Sequence, residues 1–253
     1  MKKILRNCFP AAISLFVFSF LPIKKDEVTI YLIGDSTMAN KSTTAYPETG
    51  WGMPFRYFFD SSATVENHAQ NGRSTKSFRE EKLWDPILSK LKAGDFVLIQ
   101  FGHNDESPEK VGRYTTPEEF KNNLKRYVEE SRSKKAIPIL ITPVARRSFD
   151  EAGKVINTHG KYGDLVKEVA AALKVPLIDL QKSSEALLQQ FGVENSKLLF
   201  LQLEPGEHPN YPDGKVDNTH FSELGARKMA ELVLKEIRTV VPDLANRVVK
   251  RKA

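Results

Sequence analysis

The chain has 253 residues, of which 40% are hydrophobic and 28% are charged. These values are typical of a globular protein and exclude collagen-like, coiled-coil and disordered chains. The formal net charge is +6, but the basic excess lies at the two ends, and residues 26–246 are slightly acidic. The interior basic runs at 132–135 and 146–147 are short and lack interleaved aromatic residues. We interpret them as solvated ends of helices or loops and expect no nucleic-acid partner.

The first 23 residues have the pattern of a secretory signal peptide. A basic start precedes an apolar stretch at 9–23, which contains Pro10 and Pro22 and is shorter than the ~20 residues of a spanning helix. We therefore expect no stable membrane span and a secreted or periplasmic protein; whether the leader is cleaved stays open. Cys8, the only cysteine, lies in this leader. The remaining chain can therefore form no disulfide and offers no thiol nucleophile and no cysteine metal ligand.

Residues 24–246 are expected to form a single domain, followed by a basic C-terminal tail at 247–253. Within the domain, short apolar runs recur about every 30 to 40 residues and predict buried β-strands. The predicted strands are residues 28–33, 64–68, 96–101, 136–142 and 175–180.

Helical patterns lie between and after these strands. Thr116 and Glu119 form a capping-box pattern at the start of one helix, and apolar residues repeat on one face over 162–173 and 226–240. Strands that alternate with helices predict a three-layer α/β/α fold with a mostly parallel five-stranded sheet. The proline- and glycine-rich segment 204–217 predicts a loop.

Three of the predicted strands run into short polar segments. Ser36 follows the first strand, Gly72 follows the second, and Asn104 follows the third. Because the carboxyl ends of parallel strands form the ligand-binding edge of open α/β folds, we expect these residues to lie close together. A glycine N–H and an asparagine amide at this edge can hold an oxyanion. Taken singly, each residue is also typical of an ordinary turn or helix cap.

Asp217 and His220 lie just before the last helix. We expect them on one turn, where the carboxylate can hold the Nδ1–H of the imidazole and leave Nε2 free as a base. The chain order Ser36, Asp217, His220 then predicts a hydrolase with a serine nucleophile. No metal-binding motif is present in the sequence, and no metal or cofactor is predicted.

Together these segments resemble the GDSL, or SGNH, hydrolase superfamily, whose four blocks carry Ser, Gly, Asn and His. The resemblance spans residues 28–239, with Thr37 in place of the leucine that names the family. The Gly50-Trp51-Gly52 turn and the Asn-Gly-Arg-Ser segment at 71–74 are similar to those of rhamnogalacturonan acetylesterases. The matching blocks are 34–38, 67–72, 102–105 and 217–220.

The resemblance implies a flavodoxin-like fold and a secreted serine esterase that removes acetyl groups from the rhamnogalacturonan backbone of pectin. Ser36 would be the nucleophile, His220 the base and Asp217 the residue that orients it. The N–H groups of Ser36 and Gly72 and the side chain of Asn104 would form the oxyanion hole. An acetyl-enzyme would form, without a cofactor or metal.

Substrate binding is expected from two further residues, each with a second interpretation. Arg73 could pair with a galacturonate carboxylate or form an ordinary ion pair, and Trp51 could stack on a sugar or belong to the core. The alternatives for function are an acetylxylan or other short-acyl ester hydrolase with the same catalytic residues, and a non-catalytic glycan-binding relative. The sequence does not show the oligomeric state.

Overall fold

The computed structural model describes residues 26–249, so the expected leader at 1–23 lies outside the described residues. Its centre is a five-stranded parallel sheet in the order β2-β1-β3-β4-β5. This order is that of flavodoxin-like folds. The prediction of an α/β fold with a mostly parallel five-stranded sheet is confirmed. The strands are β1 (Val28–Gly34), β2 (Ala63–Asn67), β3 (Phe96–Gln100), β4 (Ile137–Ile141) and β5 (Leu177–Ile178).

Helices cover both faces of the sheet. Because successive strand residues point to opposite faces, β1 sends Ile30 and Leu32 into one core and Tyr31 and Ile33 into the other. The helices are α1 (Gly52–Phe55), α2 (Ser77–Glu80), α3 (Asp85–Lys90), α4 (Pro117–Ser133), α5 (Tyr162–Leu173), α6 (Leu180–Asn195), α7 (Glu223–Val240) and α8 (Pro242–Ala245). Short 3-10 helices occupy Thr43–Ala45, Arg56–Phe58 and Ser196–Leu199, and α6 is interrupted by the non-helical backbone of Gly192.

The prediction of a loop over 204–217 is wrong at its C-terminal end, where the chain enters a two-stranded antiparallel sheet. The sheet consists of β6 (Phe200–Leu203) and β7 (Lys215–Phe221), so only 204–214 is a loop. Asp217 and His220 accordingly lie in β7 and not on a free turn before the last helix. Sequence reasoning missed the pairing of β6 with β7 because Asp and Asn in β7 are typical turn residues.

The start of the expected basic tail belongs to the fold. Arg247 donates from Nη1 to the carbonyls of Asp26 and Ser62, at 2.6 and 2.7 Å. Val248 is buried, and the N–H of Val249 bonds the carbonyl of Phe58. These residues are therefore part of the domain; residues 250–253 lie outside the described residues.

The run at 146–147 is also not a solvated loop end. Arg146 pairs with Glu106, and Arg147 bonds the side chains of Asn218 and Ser196. Within residues 26–249, no helix has the length and apolar character to cross a membrane.

Candidate active site

The structure brings Ser36, His220 and Asp217 together at the carboxyl edge of the sheet. Nε2 of His220 is 2.8 Å from Oγ of Ser36, and Nδ1 is 2.8 Å from Oδ2 of Asp217. Ser36 follows β1 directly, and β7 supplies the other two residues. A serine hydroxyl, an imidazole and a carboxylate in this sequence of contacts can remove a proton from Oγ as it attacks a carbonyl carbon.

A local bend in β7 lets two of these side chains meet. In a regular strand, residues three positions apart point to opposite faces. Here Oδ1 of Asp217 accepts hydrogen bonds from the backbone N–H groups of Thr219 and His220, and the pairing register with β6 shifts between Phe200 and Gln202. Strand β7 is therefore irregular between Asp217 and His220, and the two side chains contact each other.

The same contacts keep Asp217 ionised. Its burial alone would raise the pKa, but the hydrogen bonds from the His220 ring and from the two backbone N–H groups outweigh this effect. The pKa of Asp217 therefore lies well below its usual range, and the carboxylate is available to hold Nδ1–H of His220 across the ordinary pH range.

Three candidate oxyanion donors belong to residues that line the cleft with the nucleophile. Among residues 26–249, the N–H groups of Ser36 and Gly72 donate to no other group. Gly72 has φ +74°, a backbone conformation that favours glycine, and it lines the same cleft as Ser36 and Asn104. Nδ2 of Asn104 donates one hydrogen to the carbonyl of Arg73 at 3.0 Å, which leaves its second hydrogen free. The N–H groups of Ser36 and Gly72 and the free hydrogen of the Asn104 amide can together hold an oxyanion.

Trp51 is a core residue, which agrees with the second of its two interpretations and corrects the expectation that it stacks on a sugar. Its side chain is fully buried, and Nε1 donates to Oε1 of Gln100 at 2.7 Å. Gln100 in turn donates to Oγ1 of Thr37, and Thr37 donates to Asp35, the residue before Ser36. A chain of hydrogen bonds through Gln100 and Thr37 therefore links the indole to the loop that carries Ser36.

The glycines beside Trp51 allow a close backbone approach. A Cβ on Gly50 would lie 2.0 Å from the carbonyl oxygen of Ala39, and one on Gly52 would lie 2.6 Å from that of Met38. The Gly50-Trp51-Gly52 turn thus packs directly against the loop that carries Ser36.

Arg73 does not line the cleft. Its Nε and Nη2 both donate to Oε2 of Glu81, at 2.9 and 2.6 Å, and Nη1 donates to the carbonyl of Asn71. The side chain is held in an ion pair, which agrees with the second of its two interpretations, and the expectation that it binds substrate is corrected.

Lys41 is a residue that sequence reasoning missed. Its side chain is only 2% exposed, and Nζ donates to the carbonyl of Ser36 at 2.6 Å and to Oδ1 of Asn71 at 2.7 Å. Glu48 neutralises the ammonium at 2.7 Å. Lys41 therefore ties the nucleophile loop to the loop that carries Gly72. Nothing in the local sequence around Lys41 signals this role.

Buried titratable groups lie behind the nucleophile. His103 Nδ1 is 3.3 Å from Oδ2 of Asp35, and neither atom has a hydrogen-bond partner among the described residues. Burial lowers the pKa of His103 to about 4, although the charge of Asp35 opposes the shift. Burial alone would raise the pKa of Asp35, but His103 and hydrogen bonds from Thr37 lower it to about 2.

Asp105 joins the oxyanion loops. Its carboxyl accepts hydrogen bonds from the backbone N–H of Thr75 at 3.0 Å and from the hydroxyl of Thr115 at 3.1 Å. Burial raises the pKa of Asp105 to about 7, and these hydrogen bonds oppose the shift. The residue is fully buried and acts as a structural link.

The cleft above Ser36 has a volume of about 400 Å³ and is mainly polar. Sequence reasoning missed most of its charged walls, because they come from loops without a recognisable pattern. Besides the residues already placed at the nucleophile, the charged lining residues are Glu48, Lys110, Arg113 and Arg146. Across residues 26–249, no cluster of three or more His, Cys, Asp or Glu side chains is placed to hold a metal ion.

Comparison with known proteins identifies the family. The profile of the GDSL-like lipase/acylhydrolase family matches residues 32–228. The chain is 42% identical to rhamnogalacturonan acetylesterase RhgT of Bacillus subtilis (strain 168) over 228 residues, which are 90% of this chain and 97% of that protein. It is 37% identical to the probable rhamnogalacturonan acetylesterase YesY of the same organism, over 88% of this chain and 98% of that protein.

A solved structure shows the same fold. The crystal structure of protein YxiM from Bacillus subtilis superposes with a TM-score of 0.72 at 28% identity, covering 85% of this chain and 57% of that one. With the matched blocks and the geometry around Ser36, the chain belongs to the GDSL-like lipase/acylhydrolase family and is a carboxylic ester hydrolase.

Proposed function

We propose that the protein removes acetyl groups from the rhamnogalacturonan backbone of pectin. The observation that carries this proposal is the 2.8 Å contact between Nε2 of His220 and Oγ of Ser36, with Asp217 on the other ring nitrogen. The choice of acyl group and polysaccharide rests on the similarity to RhgT and YesY.

In the first half-reaction, Oγ of Ser36 attacks the acetyl carbonyl carbon while Nε2 of His220 takes the hydroxyl proton. The carbonyl oxygen becomes an oxyanion and accepts hydrogen bonds from the N–H groups of Ser36 and Gly72 and from Nδ2 of Asn104. The C–O bond to the sugar then breaks, and His220 gives the proton to the leaving sugar oxygen, which becomes a hydroxyl.

In the second half-reaction, water attacks the acetyl-enzyme. His220 takes one proton from the water, the same donors hold the new oxyanion, and acetate leaves as the proton returns to Ser36. Asp217 stays ionised throughout and keeps the imidazole in the tautomer with Nδ1–H.

The test measures acetate released from acetylated rhamnogalacturonan and from acetylated xylan. We expect rapid release from the pectic substrate, and a Ser36→Ala variant slowed by about 10³-fold or more, because the nucleophile is lost. The control is Ser61→Ala, which alters an exposed serine outside the cleft. Release mainly from xylan would overturn the substrate, and release that survives Ser36→Ala would overturn the mechanism.

We also propose that the protein is exported, on the pattern of residues 1–23. Expression of the full chain in a bacterial host, followed by fractionation and mass spectrometry of the N-terminus, tests this. An intact chain confined to the cytoplasm would contradict export.

A further inference from the structure

Two of the cationic side chains that line the cleft have no carboxylate partner among residues 26–249. Two pairs are internally neutral: Nη1 of Arg146 is 2.6 Å from Glu106, and Glu48 is 2.7 Å from the buried Lys41. The cationic side chains that line the cleft are Lys110, Arg113 and Arg146. Lys110 and Arg113 have no carboxylate within ion-pair distance among the residues that the structure describes.

Both unneutralised cations lie beside the proposed oxyanion donors. Nζ of Lys110 donates to Oδ1 of Asn104 at 3.2 Å and to the carbonyl of His103 at 3.1 Å. The guanidinium of Arg113 lies over Gly72, where an added Cβ would be 2.9 Å from Nη1. A ligand that places its ester at Ser36 therefore has its neighbouring groups within the field of two cations.

The loop that carries these cations is fixed at both ends. The N–H of Arg113 bonds the carbonyl of Lys110 at 2.9 Å and closes the turn, while the N–H of Thr115 bonds the carbonyl of Asp105 at 3.0 Å. The hydroxyl of Thr115 also bonds the buried Asp105 carboxyl. These bonds hold the backbone of the loop beside Asn104, and the two acceptors of Nζ fix the ammonium of Lys110 there.

A carboxylate is the ligand group that this arrangement fits. A guanidinium with no protein partner offers parallel N–H donors that match the two oxygens of a carboxylate, and an adjacent ammonium adds a third charge-assisted bond. Hydroxyl groups of a neutral sugar would leave both charges uncompensated.

We propose that Arg113 and Lys110 form a carboxylate subsite for a uronic acid of the acetylated polysaccharide. This inference deepens the proposed function and rests on it for the position of the ester. It makes these two residues specificity determinants that separate acidic from neutral acetylated polysaccharides.

The test measures binding of a deacetylated rhamnogalacturonan oligosaccharide by calorimetry, beside the same oligosaccharide with its carboxyl groups reduced to alcohols. Binding needs no turnover, so the result is independent of acetate release. We expect the acidic ligand to bind more tightly, and Arg113→Met to raise its Kd about fivefold to tenfold, as for a partly exposed charge-assisted pair. Added salt should weaken the acidic ligand alone.

Three further variants sharpen the result. Arg113→Lys keeps the charge and should retain part of the preference, whereas Lys110→Met should lose it in the same direction as Arg113→Met. The matched control is Arg238→Met in the last turn of α7, an exposed arginine that is not a cleft residue and should leave both Kd values unchanged.

The proposal is overturned if the reduced ligand binds as tightly as the acidic one, if neither binds, or if Arg113→Met and Lys110→Met leave the Kd within twofold. A loss of kcat without a change in Kd would assign the two cations to oxyanion stabilisation and would also overturn it. Failure of the proposed function is read separately, as the absence of acetate release from acetylated rhamnogalacturonan.

Discussion

Lys41 shows how a buried charge contributes to the position of a nucleophile. Taking an ammonium out of water is costly unless the charge is paired and its hydrogens are bonded. Glu48 supplies the opposite charge, and Ser36 and Asn71 supply the two acceptors. The ammonium contacts the backbone of Ser36 and not Oγ, so Lys41 acts as a positioning residue.

We predict that Lys41→Met lowers kcat about tenfold and the free energy of unfolding by about 3 kcal/mol, because it leaves Glu48 with a partly buried, unpaired charge. Kinetics with 4-nitrophenyl acetate and urea denaturation measure the two effects. The double variant Lys41→Met/Glu48→Gln should recover much of the stability and little of the rate. An unchanged kcat in both variants would show that the Ser36 loop holds its position without the ammonium.

The elements of this fold differ in how locally they are determined. Helix α4 begins at the position that the capping box predicts. The hydroxyl of Thr116 accepts a hydrogen bond from the N–H of Glu119, and the Glu119 carboxylate accepts one from the N–H of Thr116. Strand β7 has no such local signal. It exists because β6 pairs with it, and the pairing carries Asp217 and His220 to Ser36.

For α4, we predict that Thr116→Ala lowers the free energy of unfolding by about 1 kcal/mol, the typical cost of losing an N-cap side chain. Urea denaturation measures the change. Thr239→Ala, at an exposed threonine of α7 whose hydroxyl makes no hydrogen bond with the described residues, is the matched control and should change stability by less than about 0.5 kcal/mol. Equal effects at the two sites would contradict the assigned role of the cap.

At the scale of the whole molecule, two buried groups behind the site make the stability of the fold depend on pH in opposite directions. The fold lowers the pKa of His103 to about 4, so its neutral form is favoured and stability is lost as the pH falls from about 6.5 towards 4. The fold raises the pKa of Asp105 to about 7, so its protonated form is favoured and stability is lost as the pH rises from about 4 towards 7. The two contributions have opposite slopes in one window.

We therefore predict that, when either group is removed, the pH dependence of stability between about pH 4.5 and 6.5 shows the contribution of the other group. As the pH falls through this window, the free energy of unfolding of Asp105→Asn should fall more steeply than that of the wild type. That of His103→Gln should instead rise relative to the wild type over the same change of pH. Urea denaturation at several pH values in this window checks both signs. Parallel pH profiles for the wild type and both variants would contradict the assignment.

The sequence by itself determined the features that depend on local pattern. The apolar runs predicted the parallel sheet, since strands buried on both faces must be almost wholly apolar, and the capping box predicted the start of α4. Turn residues after each strand, together with the family resemblance, singled out Ser36, Gly72 and Asn104. Because parallel strands share one carboxyl edge, their neighbourhood also followed from the strand order.

Only the tertiary structure decided what depends on partners distant in the chain. Trp51 lies in the core, where Gln100 supplies the acceptor that its buried indole N–H needs, and Arg73 is held in an ion pair by Glu81. Lys41 and Arg113 each contact another loop, and no local pattern indicates which loops will meet. Hydrophobic period and turn chemistry act over a few residues, whereas the pairing of charges in a cleft is set by the packing of the whole chain.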